Sequence, residues 1–359
     1  MNRPILVTGG CGFIGGNMVH ALVADGLPVV TLDAMAYAAQ PMTLAPLEGN
    51  PLHRLVRGSI GDRDLVGSLL RQYRPRAVIN FAAQTHVDRS IDGPAAFIET
   101  NLVGTFHLFE AVRAYLAELP ESKRQDFRLL HVSTDEVFGS IESGAFVEGD
   151  RQHPSSPYSA SKAAADNLAV AWRVTYGLPV IVSNCTNNYG PYQFPEKLIP
   201  RMLIRALQGQ SLPLYGDGLH SRDWLFVGDH VSALRRLLEA GRLGESYNVA
   251  GRAEASNRDL VQQLCAILDR KAPRSDGRPH AQAICFVSDR PGHDRRYALD
   301  CGKLERELGW RPSVTLAEGL EATVDWYLAH RPWWRQVLDG GYRLERLGMG
   351  NAASEHCHA

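Results

Sequence analysis

The feature that most restricts the fold of this chain is the run Gly9-Gly10-Cys11-Gly12-Phe13-Ile14-Gly15, set between an apolar segment, Ile5–Thr8, and a helical pattern over Phe13–Asp25. Missing side chains at Gly9, Gly12 and Gly15 let the backbone turn sharply out of a strand into a helix and let an anionic group approach it closely. The helix N-terminus behind the turn presents unpaired N–H groups and a partial positive charge, which suit a pyrophosphate. A glycine triplet also occurs wherever a strand packs close to a helix, so its neighbours decide its meaning. Asp33 ends the next apolar run, Val29–Leu32, eighteen residues past Gly15. A carboxylate there accepts hydrogen bonds from an adenosine ribose and repels a 2′-phosphate. Together the two signals point to a dinucleotide site that takes NAD rather than NADP.

Further β-rich runs follow at Ala77–Phe81, Leu129–Ser133 and Val180–Ser183, separated by helix-length segments. Such alternation predicts an α/β fold with a doubly wound, Rossmann-type parallel sheet. The polar stretch Glu118–Asp126 reads as a surface excursion. After about residue 185 the texture changes: Pro191, Pro195, Pro200 and Pro213 punctuate the chain, and Gly216 and Gly218 mark a tight turn. Helical patterns return at Asp229–Ala240, Asn257–Leu268 and Leu316–Leu328. The expectation is an NAD-binding domain over 1–185, with later segments returning to it. A smaller, mixed α/β substrate lobe occupies mainly 186–335, and a C-terminal extension with a frayed tail fills 336–359.

Charge excludes some partners. With 38 Lys+Arg against 39 Asp+Glu the formal net charge is -1, which gives no field for nucleic acid or a membrane surface, so an anionic ligand must be held locally. No apolar run approaches the roughly 18 residues needed to cross a bilayer. Met1–Thr8 runs at once into glycines without a signal-peptide core, so a cytoplasmic protein is expected. The six cysteines are scattered without a CxxC pair, which predicts reduced, packed thiols and no zinc site. The terminal His356-Cys357-His358 reads as part of the tail rather than a metal site.

Two constellations carry chemistry. Tyr158-Ser159-Ala160-Ser161-Lys162 precedes and enters a helical pattern, Ala163–Tyr176, and its i, i+4 spacing sets phenol and ammonium on one face. A nearby cation lowers a phenol's pKa, so Tyr158 can act as base toward a hydroxyl while hydride leaves the same carbon. Ser133-Thr134-Asp135-Glu136 follows the strand Leu129–Ser133, at the carboxyl end where doubly wound sheets present their active sites. The bland alternative for the acidic pair is a solvated turn before Val137-Phe138-Gly139.

These segments, taken with Ala82-Ala83, His86-Val87-Asp88-Arg89-Ser90, Asn187 through Lys197, Arg222-Asp223-Trp224 and Asp289-Arg290-Pro291-Gly292-His293, resemble the dTDP-glucose 4,6-dehydratases nearly end to end. Those enzymes are a branch of the extended short-chain dehydrogenase/reductase family. Trp333-Trp334 and Tyr342 through Gly348 are also similar to that family's C-terminal end. The resemblance implies transient oxidation at C4 of a nucleotide-linked glucose, loss of water across C5 and C6, and return of the hydride to C6. It gives Tyr158 the 4-hydroxyl proton, Glu136 the C5 proton and Asp135 the protonation of the departing 6-hydroxyl. Thr134 would orient the 4-position and Lys162 the nicotinamide ribose. Cofactor contacts would fall on Gly9, Gly12 through Gly15, Asp33, Ala34, Met35, Ala36, Ser59, Ile60, Phe81, Ala82, Ala83, Gln84, Thr85, Thr100 and Asn188. Substrate contacts would fall on Thr85, His86, Thr134, Asn187, Glu196, Lys197, Leu198, Arg201, Pro213, Leu214, Tyr215, Arg222, Asn257 and the run from Asp289 to His293. Lys197, Arg222 and Arg290 are suitable cations for a sugar diphosphate, the arginines by bidentate pairing. A homodimer is the expected assembly.

Three places depart from the family pattern: Gln84-Thr85 where Glu-Ser is usual, Ser59-Ile60 where Asp-Ile often meets the adenine, and Gly228 where Glu commonly precedes Asp-His. Gln-Thr is also similar to UDP-glucose 4,6-dehydratases, which leaves the donor nucleotide open at this point. A nucleotide-sugar 4-epimerase or a decarboxylating enzyme would share the glycine turn and the tyrosine–lysine pair, but neither explains Asp135. A non-catalytic NAD-binding protein would not need Thr134, Asp135, Glu136, Tyr158 and Lys162 together.

Overall fold

The computed structural model describes residues 3–289, 292–340 and 344. Its spine is a seven-stranded parallel sheet. Six strands come from the first 185 residues: β1 (Ile5–Thr8), β2 (Val29–Asp33), β3 (His53–Arg57), β4 (Ala77–Asn80), β5 (Arg128–Thr134) and β6 (Val180–Cys185). The seventh, Ser246–Val249, arrives later and pairs with β6, giving the spatial order Ser246–Val249, β6, β5, β4, β1, β2, β3. The chain runs outward from β1 to β3, returns to β4 and runs outward the other way. The order therefore reverses between β1 and β4, and a crevice opens beyond their carboxyl ends, where ligands bind in sheets of this kind.

The apolar runs are continuous because both faces of the sheet are covered. Ile5 and Val7 of β1 point to one face, against Met18, Val19 and Leu22 of the helix Phe13–Ala24 and Leu234 and Leu237 of the helix Val227–Ala240. Leu6 points to the other, with Leu70, Phe109, Val112 and Phe127. The expected strands are all present, with ends shifted by a residue or two: β2 extends to Asp33, β4 stops at Asn80, and β5 and β6 run on to Thr134 and Cys185. The edge strand β3 was not expected. Its His-Arg-Leu-Val-Arg residues are exposed or half-buried, so it carries no apolar run to read. The excursion Glu118–Asp126 holds a short helix, Glu121–Gln125, with no buried residue.

The helix carrying Tyr158 and Lys162 spans Pro157–Tyr176, starting earlier than the pattern Ala163–Tyr176 suggested. Ser156 caps it by a reciprocal bond pair with Ser159, and Pro157 occupies the first turn, where its missing N–H costs nothing.

The remaining elements pack around a second core. Asn187–Tyr189, Ser221–Phe226 and Glu254–Ser256 form a three-stranded sheet, and Leu212–Tyr215 pairs with Ile284–Val287. Helices Leu198–Leu207, Asn257–Lys271, Leu316–Ala329 and Arg331–Asp339 enclose Tyr189, Leu203, Trp224, Leu264, Tyr327 and Trp333. Asp223 ties this lobe to the large sheet, accepting from Gly251 N at 2.8 Å and Ala253 N at 2.6 Å just past the late strand. A Cβ on Gly251 would collide with the carbonyl of Trp224, so the seam admits only glycine at that point.

No helix among the described residues is long and apolar enough to cross a membrane. Cys11, Cys185, Cys265 and Cys301 are free and buried, as expected of packed thiols. Cys285 departs from that expectation and is disulfide-bonded; it lies on Ile284–Val287, a strand half open to solvent, where a thiol can reach a partner.

Candidate active site

The glycine turn sits at the carboxyl end of β1 and closes on itself: Gly9 N donates to Leu32 O at 2.9 Å and Gly12 N to Gly9 O at 3.1 Å. Gly9 has φ +70°, and a Cβ there would come within 2.7 Å of Ala82 N. On Gly15 a Cβ would strike the carbonyl of Gly9. The turn thus packs against its own backbone where any side chain would collide, and the helix that begins with Phe13 and Ile14 presents its N-terminus to an anion such as a pyrophosphate. Asp33 is 6% exposed and accepts from Cys11 N (2.9 Å) and Met35 N (2.8 Å). Burial raises its pKa, and those backbone bonds work the other way. Both carboxylate oxygens keep a lone pair for ribose hydroxyls, beside the loop of Ala34, Met35 and Ala36. These residues fit an NAD molecule.

The rest of the expected cofactor set is spread over the segments that follow β3, β4 and β6 and over one helical turn. Phe81, Ala82, Ala83, Gln84 and Thr85 continue from β4, half-buried. Gln84 is held through its backbone by Asn101, which also donates to Ser161 Oγ at 2.9 Å. Thr100 and Asn101 lie in a π-helical turn, Ile98–Gly104. Asn188 is pinned by Thr186 O and by His230 Nδ1 at 2.8 Å. The structure uses Ser59 and Ile60 differently from each other. The Ser59 hydroxyl accepts from Gly61 N at the surface, whereas Ile60 packs its side chain into the core. Gly228, the third departure, falls in the first turn of Val227–Ala240.

Tyr158, Lys162, Thr134 and Asp135 come together where the Pro157–Tyr176 helix crosses the end of β5, and all are under 9% exposed. Tyr158 packs edge-on against Phe97. Lys162 Nζ donates to Val132 O at 2.8 Å. Burial lowers the pKa of its ammonium and Asp166 opposes that. Thr134 Oγ1 donates to Asp135 Oδ1 at 3.1 Å and accepts from Glu136 N at 3.3 Å. The acidic pair is no solvated turn: Asp135 is 3% exposed, and burial, then the Glu136 charge, push its pKa up to about 8. Tyr158 is pushed well above the ordinary phenol value by burial and by Glu136, with a hydrogen bond to Thr134 acting against them.

The expected substrate residues fall into several separate contact groups. Lys197 Nζ donates to Thr85 O at 2.7 Å, at the start of the helix that begins with Leu198 and carries buried Arg201. Glu196 is buried against Tyr37, which donates at 3.1 Å, and faces His86 and Arg89, each at 3.8 Å. Burial lifts Glu196 to about 7. Asn187 Oδ1 is buried without a protein donor. Tyr215 follows Pro213 and Leu214 on their strand and donates to Asp88 at 3.0 Å. Arg222, 5% exposed, stacks over Tyr297 and donates to the carbonyls of Ser221 and Asp294. Asn257 opens its helix with N–H bonded to His220 O. Gly292 has φ +64°, while Arg290 and Pro291 lie outside the described residues, as do Tyr342 and the terminal His356-Cys357-His358.

His220, Asp289 and His293 bring three ligand atoms within 4.8 Å of one another. Asp289 meets His293 Nδ1 at 2.6 Å and His220 Nε2 at 3.2 Å, and the imidazoles stack at 3.7 Å. The Nδ1 of His220 is buried without a partner, whereas a metal-bound imidazole donates its second N–H. The trio fits a hydrogen-bonded cluster of His220, Asp289 and His293 better than a metal centre.

The family model described as GDP-mannose 4,6 dehydratase matches residues 6–323. A dTDP-glucose 4,6-dehydratase from Xanthomonas campestris is 58% identical over 344 residues, covering 96% of this chain and 98% of the relative. The crystal structure of a dTDP-glucose 4,6-dehydratase from Streptomyces venezuelae, with NAD bound, superposes with a TM-score of 0.84 at 43% identity, covering 93% of this chain and 99% of that one. A UDP-glucose 4-epimerase from Thermotoga maritima has a TM-score of 0.79 at 29% identity, over 92% of this chain and 99% of its own.

Sequence reasoning missed the groups behind Lys162. Asp166, 4% exposed, accepts from Ser133 Oγ (2.8 Å) and Asn184 Nδ2 (3.1 Å) and faces His131 Nε2 at 3.5 Å. Asn80 Nδ2 meets His131 Nδ1 at 3.1 Å, and Thr8 Oγ1 donates to Asn80 Oδ1 at 2.6 Å. One signal was available: Tyr158, Lys162 and Asp166 stand at i, i+4 and i+8, on a single helical face. Removing the carboxylate strands a buried ammonium, so Asp166→Asn is expected to lower stability by about 3–5 kcal/mol. Chemical denaturation measures this, and unchanged stability would mean that Asp166 does not balance the Lys162 charge.

Proposed function

This chain belongs to the dTDP-glucose 4,6-dehydratase family, and we propose that it converts dTDP-glucose to dTDP-4-keto-6-deoxyglucose and water. The observation that carries this reading is the buried Asp135, held up to about 8 beside Glu136 and in contact with Thr134. A dehydratase needs one carboxyl kept protonated to expel a hydroxyl and a second kept ionised to remove a proton. An epimerase needs neither.

The residues divide the work by position. Gly9, Gly12 and Gly15 would hold the pyrophosphate of NAD, Asp33 its adenosine ribose and Lys162 its nicotinamide ribose. When bound, NAD supplies positive charge beside Tyr158 and takes up, then gives back, the hydride. Tyr158 accepts the proton of the 4-hydroxyl; burial and Glu136 hold its phenol above the ordinary value, and the positive charge of bound NAD would work against them. The resulting 4-keto group acidifies the C5–H, and Glu136 takes that proton. Asp135 protonates the 6-hydroxyl as the C6–O bond breaks, and Glu136 returns its proton to C5 when C6 receives the hydride. Lys197 and Arg222 are the described cations suited to the sugar diphosphate, and Asn187 Oδ1 offers an acceptor to a substrate hydroxyl.

We also assign the protein to the cytoplasm and to a homodimer. Val170, Val174 and Tyr176 remain 54%, 80% and 52% exposed on the outer face of the Pro157–Tyr176 helix, with Ile98 exposed as well. A second copy packed along this helix would cover them. Val174→Glu should therefore shift the protein toward monomer in light scattering, and an unchanged mass would place the interface elsewhere.

Purified protein, given no reductant, should take one water from dTDP-glucose faster than from UDP-glucose by mass spectrometry. Loss only from UDP-glucose would reassign the donor. Glu136→Gln should oxidise C4 yet lose water at least about a hundredfold more slowly, accumulating bound NADH. Normal dehydration by that variant would remove Glu136 from the role of base. Because the folded-state pKa of Asp135 is raised, its acid form is populated below about 8 and is lost above it. The elimination rate should fall along an alkaline limb near that pH, and a flat profile through it would contradict the assignment of Asp135 as acid.

A further inference from the structure

The last peptide of β5 is held by a side chain to which the chemistry above gives no part. Asn184 of β6 stands beside Ser133 of β5 in the parallel register, and Cys185 stands beside Thr134. The next backbone donor past β6, Thr186 N, goes to Val249 O at 3.1 Å. The Thr134 carbonyl is met by the Asn184 side chain, whose Nδ2 donates to it at 3.2 Å. The same Nδ2 donates to Asp166 Oδ2 at 3.1 Å. A primary amide nitrogen carries two hydrogens, so both bonds form at once. That oxygen of Asp166 also accepts from Ser133 Oγ at 2.8 Å and from Gln152 Nε2 at 3.4 Å. Asn184, Asp166, Ser133 and Thr134 are all buried, where hydrogen bonds are electrostatically stronger than in water.

We propose that Asn184 is a positioning residue for the elimination, fixing the Thr134–Asp135 peptide against the helix of Tyr158 and Lys162 so that the acid at O6 stays in register with the base at O4. The inference rests on the dehydratase reading and on the roles given there. A peptide unit is planar, so anchoring the Thr134 carbonyl sets the direction in which the chain leaves β5 toward Asp135. Thr134 has φ −143° and ψ 156° and is the last extended residue before the short turn Asp135–Val137. From there its hydroxyl meets Asp135 Oδ1 at 3.1 Å. On the other side, Asp166 stands eight residues beyond Tyr158, on the helical face that also carries Lys162. One carboxylate oxygen therefore gathers Ser133 directly and Thr134 through Asn184, two consecutive residues of the strand that delivers the acid. Both Nδ2 hydrogens of Asn184 are used within the protein, so it acts on the sugar through Thr134 and Asp135. Leucine at this position keeps the site filled and offers neither N–H, which removes the anchor from the turn.

The test is a double-mutant cycle of Asn184→Leu with Asp135→Asn. Stopped-flow absorbance reads bound NADH, and rapid quench reads the product formed from dTDP-glucose. With Asp135 in place, Asn184→Leu should slow elimination about a hundredfold, the scale of a misplacement near 1 Å, and bound NADH should accumulate. The KM for dTDP-glucose and the dissociation constant for NAD should stay as they are. In the Asp135→Asn background the same change should cost elimination nothing further, because the group it positions is already gone. A residue that only supports the fold costs the same factor in both backgrounds, and that result would overturn the proposal. So would a rise in KM or in the NAD dissociation constant that accounts for the whole loss. Should the leucine variant fail to bind NAD, Asn184→Ser, a smaller change that cannot span both acceptors, goes through the same cycle with the same two outcomes. Absence of dehydration by the native enzyme would instead overturn the dehydratase reading itself.

Discussion

Everything at this site depends on keeping the Lys162 ammonium charged while it is 4% exposed. Burial favours the neutral amine, and only an arrangement that offsets the desolvation keeps the proton on. The Val132 carbonyl takes one N–H and Asp166 supplies the opposing charge. Asp166 is in turn fixed by Ser133, Asn184 and the edge of His131. Because Asn80 Nδ2 can only donate, His131 Nδ1 is the acceptor in that pair, and the imidazole turns its N–H toward Asp166. Burial keeps the ring neutral, so the carboxylate is left to the lysine.

The same chain of contacts ends at Thr8, the last residue of β1, immediately before the glycine turn. Cofactor cradle and tyrosine–lysine helix are thus joined through the sheet interior by polar groups, not only by loops above it. The parallel register that sets Thr8 beside Asn80 and Thr134 beside Cys185 makes this possible, since each strand delivers its last side chain to the same edge. The low polarity that makes the ammonium costly is also what holds Asp135 protonated, so one environment sets both catalytic protonation states.

Much of the dinucleotide half was legible because its physics leaves local marks. Strands covered on both faces read as unbroken apolar runs, and the turn that approaches a ligand reads as glycine. Where a segment lacks such a mark, reading failed: β3 is an exposed edge, and the lobe strands Asn187–Tyr189 and Glu254–Ser256 span three residues each. The early helix start rests on Ser156 and Pro157, a cap and a first-turn proline that extend the helix ahead of the Ala163–Tyr176 pattern. Thr134, Asp135, Tyr158 and Lys162 were found by position and chemistry, and the structure brings them together. Asp166 and His131 were not, because a buried pair is defined by partners far apart in the chain. The expected substrate residues came from family resemblance alone, since Lys197, Arg222 and His293 carry no local sign of a shared ligand.

The central claim is that hydride leaves C4 and returns at C6 of the same sugar while one water departs. Incubation with dTDP-glucose carrying deuterium at C4, without added NADH, tests it directly. Mass and proton spectra are expected to show a product lighter by one water with the deuterium at C6. Loss of the deuterium to solvent, its retention at C4, or a product that keeps its water would contradict the account.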